Sequence, residues 1–348
     1  MAEMNTLESG LSLDWLNVDT EQGITFDAGR NGLTLQNINA LSYGVDDRDE
    51  ARDPSWAPRG SQPDARSPRG SVQYTSKSDV WTESCMLLYE EAVQRQWSST
   101  RDIPWGTIKP LPDDLERAMC TLGTFLTQVE FIAGDVPGRF LEQIHPDYFE
   151  SQLFLGTQVM DEARHLDVFR KRILANGGGM SGAGLGAVQL LQTDDFTEMT
   201  ALLHLFGEGL VQTLFRMGEL IAQNEAEKRI FRLSAQDESR HLAFGVTHLK
   251  YVVETEPHRA EQLHHLLDLQ EATTAGSQQA SLTTNPLTGE ALAILAGGGI
   301  EHLDEGYKMV QQMRRKQFLE YAHRCKVIGI DRTERMAPEI RELLGDAA

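Results

Sequence analysis

The chain has 348 residues, of which 40% are hydrophobic, enough for a sizeable core in one large domain or two ordinary ones. Its formal net charge of −20 argues against a nucleic-acid-binding surface, which needs a basic face, and gives no support to docking on an anionic membrane. Three widely spaced cysteines without a CxxC pair favour reduced thiols. The first residues do not resemble a signal peptide and no stretch approaches a membrane span, so we expect a cytoplasmic protein.

The first 79 residues differ in composition from the rest of the chain. The segment 46–78 is crowded with Asp, Arg, Ser, Pro and Gly and shows no hydrophobic period, which predicts an irregular or flexible N-terminal arm over 1–79. From residue 80 the apolar residues recur at helical spacing, and we expect one helical domain over 80–348. No convincing strand pattern occurs, so the predicted fold class is all-α.

Five helices are predicted in chain order before the composition changes again. Apolar spacing and breaks at Pro, Gly and polar clusters place them at about 81–97, 113–137, 147–176, 193–222 and 226–252. The glycine-rich stretch 177–186 is expected to connect two halves of the domain. Residues 270–300 are rich in Thr, Ser and Gly and are predicted to form a loop or cap, after which 306–324 resumes a helix.

A five-residue motif occurs twice inside these helical patterns. DEARH at 161–165 returns as DESRH at 237–241, and with residue frequencies of about one in twenty, chance does not account for two copies. In each copy the Glu and the His are three residues apart, so they project from one helix face, one turn apart. A carboxylate and an imidazole in this arrangement can bind one metal ion. The motif therefore predicts four ligands: Glu162, His165, Glu238 and His241.

Two further ligands follow from the geometry of helical hairpins. A dinuclear site with two Glu-x-x-His pairs takes one Glu from each of two other helices. In an antiparallel hairpin, residues equally far from the turn lie at the same height. Counting back from the turn at 145–146 matches Glu162 to Glu130, and counting back from the polar break at 223 matches Glu238 to Glu208. Each could instead be a buried carboxylate with a structural partner, but the duplicated motif favours ligands.

The ligand set indicates the type of metal. Four carboxylates and two imidazoles form a hard, anionic site suited to iron or manganese, unlike the thiolate-rich sites of structural zinc. We expect the metal-binding core to span about 113–253. The other motif residues can support it: Asp161 and Asp237 would each accept the second ring N–H of the His from the opposite hairpin, and Arg164 and Arg240 would hold these aspartates.

Two glycines flank one of the proposed ligands. Gly207 and Gly209 stand on either side of Glu208 inside a helical pattern. Each costs about 1 kcal/mol relative to Ala in a helix interior. This pair predicts a local distortion or a widened pocket at Glu208.

With these motifs the chain resembles the ferritin-like di-iron carboxylate oxidases and oxygenases, over roughly 113–253. The chain is most similar to bacterial multicomponent monooxygenase hydroxylase subunits in two features. These are the segment DESRHLAFG and the spacing of three residues between Glu130 and Ala133. Ribonucleotide reductase small subunits, acyl-carrier-protein desaturases and arylamine N-oxygenases share the scheme. The resemblance implies a ferritin-like four-helix bundle with flanking helices and a di-iron centre, with Mn/Fe as an alternative, that uses O2 as co-substrate.

Departures from these families narrow the expected chemistry. Ribonucleotide reductase small subunits usually carry a radical Tyr one turn after the first metal His, where this chain has Phe169. The hydroxylase subunits carry a Thr one turn after the third Glu, where this chain has Gln212, with Thr213 one place on. The arylamine N-oxygenases add a seventh ligand, a His. Here His204 or His248 could supply it, although a pocket or supporting histidine is the favoured interpretation.

The expected function is therefore an oxygenase that hydroxylates or N-oxygenates a small organic substrate. Two alternatives stay open: a ferritin-like ferroxidase or iron-storage protein, and an oxidase or radical-generating subunit of the ribonucleotide reductase type. The resemblance implies an external electron donor, such as a ferredoxin or a reductase. No nucleic-acid or membrane partner is expected, and a homodimer is one possible assembly.

Overall fold

A computed structural model describes residues 16, 29–30, 32–41, 55–59, 61, 66–70, 72–182, 188–278 and 286–345. Within these ranges the protein is all-α, as predicted, and contains isolated β-bridges but no strand. Its α-helices are α1 Leu35–Leu41, α2 Lys77–Val80, α3 Cys85–Gln94, α4 Asp113–Gly138, α5 Phe149–Ala175, α6 Val188–Gln192, α7 Phe196–Thr200, α8 Gly209–Ile221, α9 Glu225–Thr255, α10 Arg259–Gln278, α11 Pro286–Gly297, α12 Leu303–Ile328 and α13 Pro338–Leu344. A π-helical segment, Ala201–Glu208, joins α7 to α8 without a break.

Two long helical hairpins form the core bundle. The first pairs α4 with α5, and the second pairs the continuous α7, π-helical segment and α8 with α9. Side-chain caps define where the arms of the second hairpin begin: Asp195 accepts the backbone N–H of Glu198 at 2.8 Å, and Asn224 accepts that of Glu227 at 3.0 Å. Each of the four arms contributes a long buried stripe, and these stripes enclose the centre of the bundle.

The prediction of a loop over 270–300 is wrong for most of that range. Helix α10 continues to Gln278 and α11 occupies Pro286–Gly297, while 279–285 lie outside the described residues. The Thr and Gly content concealed a short helix whose Ala and Leu side chains pack on α4 and α12. The glycines of this stretch instead mark its end, since Gly298 and Gly299 have φ values of 80° and 142°.

A close backbone contact fixes α11 against α12. A Cβ placed on Gly306 would lie 1.8 Å from the carbonyl oxygen of Ala293, so only glycine permits this approach. Helix α12, which was predicted at 306–324, begins slightly earlier, at Leu303, and runs to Ile328.

Parts of the predicted N-terminal arm lie against the bundle. Tyr74 is buried, and its hydroxyl donates to the carbonyl oxygen of Asp194 at 2.6 Å. Arg59 donates to the buried carboxylate of Glu150. The division of the chain near residue 79 stays a prediction. Of the helices in the described ranges, none has the length and apolar character needed to cross a bilayer.

Replacing Gly306 tests the contact between α11 and α12. We expect Gly306→Ala to lower the free energy of unfolding by roughly 2 kcal/mol or more, because the clash is with backbone rather than with a mobile side chain. The matched control is Gly156→Ala, at an exposed position of α5 where an added Cβ meets nothing within 4 Å. That variant should be neutral or stabilised by up to about 1 kcal/mol. Denaturant unfolding of both measures the difference, and equal stability would contradict the packing described.

Candidate metal centre

The structure brings the six sequence-predicted ligands together in the middle of the bundle. All four arms of the two hairpins contribute side chains. Helix α4 and the π-helical segment each contribute one Glu, and α5 and α9 each contribute a Glu-x-x-His pair. None of the six is more than 3% exposed. In order along the chain they are Glu130, Glu162, His165, Glu208, Glu238 and His241.

The six side chains form two overlapping groups of four. One group holds Glu130 and His165, the other holds Glu208 and His241, and both contain Glu162 and Glu238. Within each group the possible ligand atoms all lie within 4.8 Å of one another. Glu162 and Glu238 could therefore help to hold both of two metal ions, whereas each of the other four residues would help to hold one.

The distances suit ions held between these atoms. His165 Nδ1 lies 3.5 Å from Glu130 Oε2, 3.3 Å from Glu162 Oε2 and 3.4 Å from Glu238 Oε1. His241 Nδ1 lies 3.0 Å from Glu162 Oε1, 3.4 Å from Glu238 Oε2 and 3.8 Å from Glu208 Oε1. Two ligands that are each about 2.1 Å from one ion are separated by about 3–4 Å. The observed spacings fall in that range.

Unsatisfied polar atoms in this cluster provide an independent test of metal binding. Among the described residues, both carboxylate oxygens of Glu130 and one oxygen each of Glu162, Glu208 and Glu238 are buried without a hydrogen-bond partner, as is His241 Nδ1. Buried polar atoms without partners are costly and rare, and here they converge on one place. The residues fit a pair of bound cations.

The electrostatics of the cluster point the same way. Burial, with the charge of Glu162, raises the pKa of Glu130 well above its ordinary value. Burial, with the charges of Glu238 and Glu162, does the same for Glu208. Although burial opposes it, the surrounding acids raise the pKa values of His165 and His241. The carboxylates therefore need neighbouring positive charge, which imidazolium rings or bound metal ions can supply.

Each metal-facing histidine is oriented by an aspartate from the opposite hairpin. His165 Nε2 lies 3.1 Å from Asp237 Oδ2, and His241 Nε2 lies 3.4 Å from Asp161 Oδ2. Burial would raise the pKa of Asp237, but the His165 hydrogen bond and the nearby arginines hold it well below its ordinary value. Because the charged aspartates accept the Nε2–H groups, Nδ1 of each ring faces the glutamates.

Two buried arginines tie these aspartates together. Arg240 Nη2 donates to Asp161 Oδ2 at 2.8 Å and to Asp237 Oδ1 at 2.6 Å. Arg164 donates to Asp237 at 2.9 Å and also pairs with Asp161. Each arginine thus bridges both aspartates, a detail that the predicted pairing of these arginines with the aspartates did not specify. The network links α5 to α9 directly behind the metal ligands.

Residues near the end of α3 complete this network, and sequence reasoning missed them. Trp97 Nε1 donates to Asp237 Oδ2 at 2.7 Å, and its ring lies 4.8 Å from the Arg164 guanidinium carbon. Gln96 accepts a hydrogen bond from Arg164 at 2.7 Å. The sequence signal was an amide and an indole at the end of the first predicted helix, which does not reveal a contact with residues so distant in the chain.

His204 supports a ligand through a second missed residue, Gln158. His204 Nε2 lies 3.0 Å from Gln158 Oε1, and Gln158 Nε2 donates to Glu208 Oε1 at 2.9 Å. Burial lowers the pKa of His204 to about 3, so the neutral ring donates from Nε2 and fixes the amide. A Cβ on Gly245 would lie 2.3 Å from His204 Cβ, so this glycine makes room for the ring.

The other candidate residues lie outside the ligand cluster. His248 Nδ1 is 2.8 Å from the carbonyl oxygen of Trp81, and its Nε2 is 3.1 Å from Thr197 Oγ1. Phe169 packs against two phenylalanine rings at centroid distances of 5.4 and 5.8 Å. Gln212 is half-buried and is not among the residues that line the cavity beside the centre.

A distortion occurs where Gly207 and Gly209 predicted one. The π-helical segment ends at Glu208, and this wider helical turn aims that carboxylate at the cluster. Gly207 lines the cavity beside the centre. Gly209 has a different role, because an added Cβ would lie 2.4 Å from the Arg324 guanidinium.

A mostly apolar cavity of about 200 Å³ lies beside the carboxylates. Glu130, Glu208 and Glu238 form one part of its wall. Most of the rest is apolar and comes from α4, the π-helical segment, α8, α11 and α12. An engineered apolar cavity of about 150 Å³ binds benzene. The cavity can therefore hold a small organic molecule next to the metal ligands.

A solved structure shares this fold. A variant of an R2-like ligand-binding oxidase with an aerobically reconstituted Mn/Fe cofactor has a TM-score of 0.50 and 15% identity, covering 71% of this chain and 94% of that chain. Another variant, anaerobically reconstituted with Mn/Fe, has a TM-score of 0.47 and 16% identity over the same shares. No protein-family model and no curated protein matches the sequence. The ferritin-like helical fold and the carboxylate–histidine cluster match the superfamily that the motifs resemble.

The overlap of the two ligand groups predicts different losses for different glutamates. We expect Glu162→Ala and Glu238→Ala to lose both metal ions, since each residue belongs to both groups. Glu130→Ala and Glu208→Ala should mainly weaken one ion each. The control Glu225→Ala removes an exposed carboxylate of α9 and should bind two ions per chain. Metal analysis after dialysis measures the content, and two ions retained in both Glu162→Ala and Glu238→Ala would contradict the assignment.

The aspartate behind His165 should control metal affinity without touching the metal. We expect Asp237→Asn to weaken metal binding about 10–100-fold, because an amide orients the imidazole poorly and lowers its basicity. The control Asp167→Asn removes an acid from the outer face of α5, where it pairs with Lys171. Competition with a chelator gives both affinities, and thermal melts verify folding. Wild-type affinity in a folded Asp237→Asn protein would refute the orienting role.

Proposed function

We propose that this chain is a dinuclear metal oxidoreductase that uses O2 to hydroxylate or N-oxygenate a small organic substrate. The observation that carries the proposal is the pair of ligand groups sharing Glu162 and Glu238 beside a mostly apolar cavity. Two iron ions, or one manganese and one iron, would supply the electrons that activate O2. A solved oxidase of the same fold carries a Mn/Fe cofactor, which supports a centre of this type.

The chain's own residues prepare the site for this chemistry. Asp237 and Asp161 hold the two imidazoles so that Nδ1 faces the glutamates. Gln158 fixes one oxygen of Glu208 and leaves the other without a hydrogen-bond partner among the described residues. The mostly apolar wall would keep the hydrocarbon part of a substrate against the ligand cluster, which favours reaction with the substrate over reaction with solvent.

Turnover also requires electrons from outside the cavity, and we propose an external donor such as a ferredoxin or a reductase. A chain of hydrogen bonds runs from His165 through Asp237 to the indole of Trp97. Trp97 is 9% exposed, whereas His165 and Asp237 are at most 1% exposed. This connection supports electron entry from the α3 side of the bundle.

Two observations favour the oxygenase over its alternatives. An iron-storage protein needs a polar route for ions, whereas the cavity beside this centre is walled mostly by hydrocarbon. Uptake of many irons per chain would support storage, and a limit of two would exclude it. A radical-generating subunit needs an oxidisable Tyr near the metals, but Phe169 occupies the expected position among other phenylalanines, and none of the cavity-lining residues is Tyr.

Single-turnover oxidation tests the proposed function. The metal-loaded protein is reduced and exposed to ¹⁸O2 with toluene, aniline or benzoate, and mass spectrometry follows the products. We expect an oxygenated product from at least one probe that carries the label. Oxidised metal without labelled product from any of them would contradict an oxygenase with a cavity of this size and favour an oxidase.

A cavity-filling variant makes this test specific. Val211 lines the cavity, so Val211→Trp should fill it and reduce product at least about tenfold while two metal ions stay bound. The control Val327→Trp alters an exposed position on α12 and should keep wild-type turnover. Equal product from the two variants would show that the substrate does not occupy this cavity.

A further inference from the structure

One buried cation in the cavity wall has no function in the centre described so far. Arg314 of α12 lines the cavity and is 5% exposed. Within the described ranges it forms no ion pair and no hydrogen bond through its side chain. Burial alone lowers its pKa to about 10. A largely buried guanidinium without an anion beside it is unfavourable, so the position of Arg314 favours binding of an anionic ligand.

Most other buried arginines of the described structure have carboxylate partners. Arg172 pairs with Glu227 at 2.6 Å, and Arg332 pairs with Glu271 at 2.6 Å. Arg164 and Arg240 hold the aspartates behind the metal ligands. Arg324 lacks a close pair, but it lies outside the cavity wall and has the charge of Glu320 nearby on its own helix. Among the described residues that line the cavity, Arg314 is the one arginine.

The cavity wall has two polar regions on different helices. The cavity-lining glutamates of the centre come from α4, the π-helical segment and α9, whereas the other polar lining residues are Arg314 and Gln317 on α12 and Gln270 and Thr274 on α10. Arg314 forms no ion pair with Glu130, Glu208 or Glu238. The remaining wall is mostly apolar, with Leu214 and Phe206 among its members. A molecule that pairs with Arg314 and also fills the apolar part of the cavity has an anionic group and an apolar body.

We propose that the cavity binds a small organic monoanion whose carboxylate pairs with Arg314 while its apolar body lies against the hydrocarbon wall beside the metal ligands. This inference rests on the proposed function and specifies its substrate class. A guanidinium matches a carboxylate through two parallel hydrogen bonds, and the mostly apolar surroundings strengthen that pair. The chain's net charge of −20 does not attract anions, so recognition depends on this local cation. The volume limits the body to about one aromatic ring or a short alkyl chain.

Calorimetry of metal-loaded protein with benzoate and its neutral analogue benzamide tests the proposal. We expect benzoate to bind about ten- to a hundredfold more tightly, as a charge-assisted pair should. Arg314→Met should reduce this ratio to about one. The matched control Arg315→Met changes the neighbouring arginine, which is exposed and donates to the carbonyl oxygen of Leu344, and should keep the wild-type ratio. Wild-type preference in a folded Arg314→Met protein would overturn the proposal.

A second measurement separates Arg314 from the metals and needs no variant. Crystals of the metal-loaded wild-type protein are soaked with 4-bromobenzoate, and the anomalous signal of bromine locates the ligand. We expect the carboxylate within hydrogen-bond distance of Arg314 and the bromine on the side of the metal ligands. A carboxylate bound to the metals, or no ligand in the cavity, would overturn the anion site. Labelled product in the turnover test would leave the proposed oxygenase intact in either case.

Discussion

The structure depends on concentrating negative charge where water cannot screen it. Four glutamates and two aspartates, none more than 3% exposed, meet in the middle of the bundle. Isolated carboxylates would not stay charged there. Two arginines and two histidines offset part of the charge through hydrogen bonds, and the orphaned oxygens of the glutamates are left for cations. The need for positive charge at this point accounts for the network of arginines and histidines around the carboxylates and favours the binding of metal ions there.

That network also explains why the two hairpins pack as they do. The aspartate of each hairpin binds the histidine of the other, and Arg164 and Arg240 each bridge both aspartates. The packing of α5 against α9 therefore brings the proposed ligands together. The Asp–His and Arg–Asp contacts in turn stabilise that packing. The π-helical segment departs from regular helix geometry at the arm that delivers Glu208, where a ligand and a cavity share the wall.

The sequence predicted the residues that follow a repeat or a geometric rule. The duplicated motif supplied the two Glu-x-x-His pairs, and equal rise in two hairpin arms located Glu130 and Glu208. Gln158 and Trp97 belong to no repeat, and their contacts depend on side-chain directions in the folded bundle. Helix α11 was missed because its apolar stripe is short and its Thr and Gly resemble a loop. Arg314 stands in a run of basic residues, so only the cavity distinguishes it from its exposed neighbours.

Anomalous diffraction from crystals of the metal-loaded protein would locate the metal ions of the centre. We expect two metal peaks about 3.5–4 Å apart, a spacing typical of dinuclear sites. One peak should lie among Glu130, Glu162, His165 and Glu238, and the other among Glu162, Glu208, Glu238 and His241. A single peak, or metal bound elsewhere while these oxygens stay without a ligand, would contradict a dinuclear centre bridged by Glu162 and Glu238.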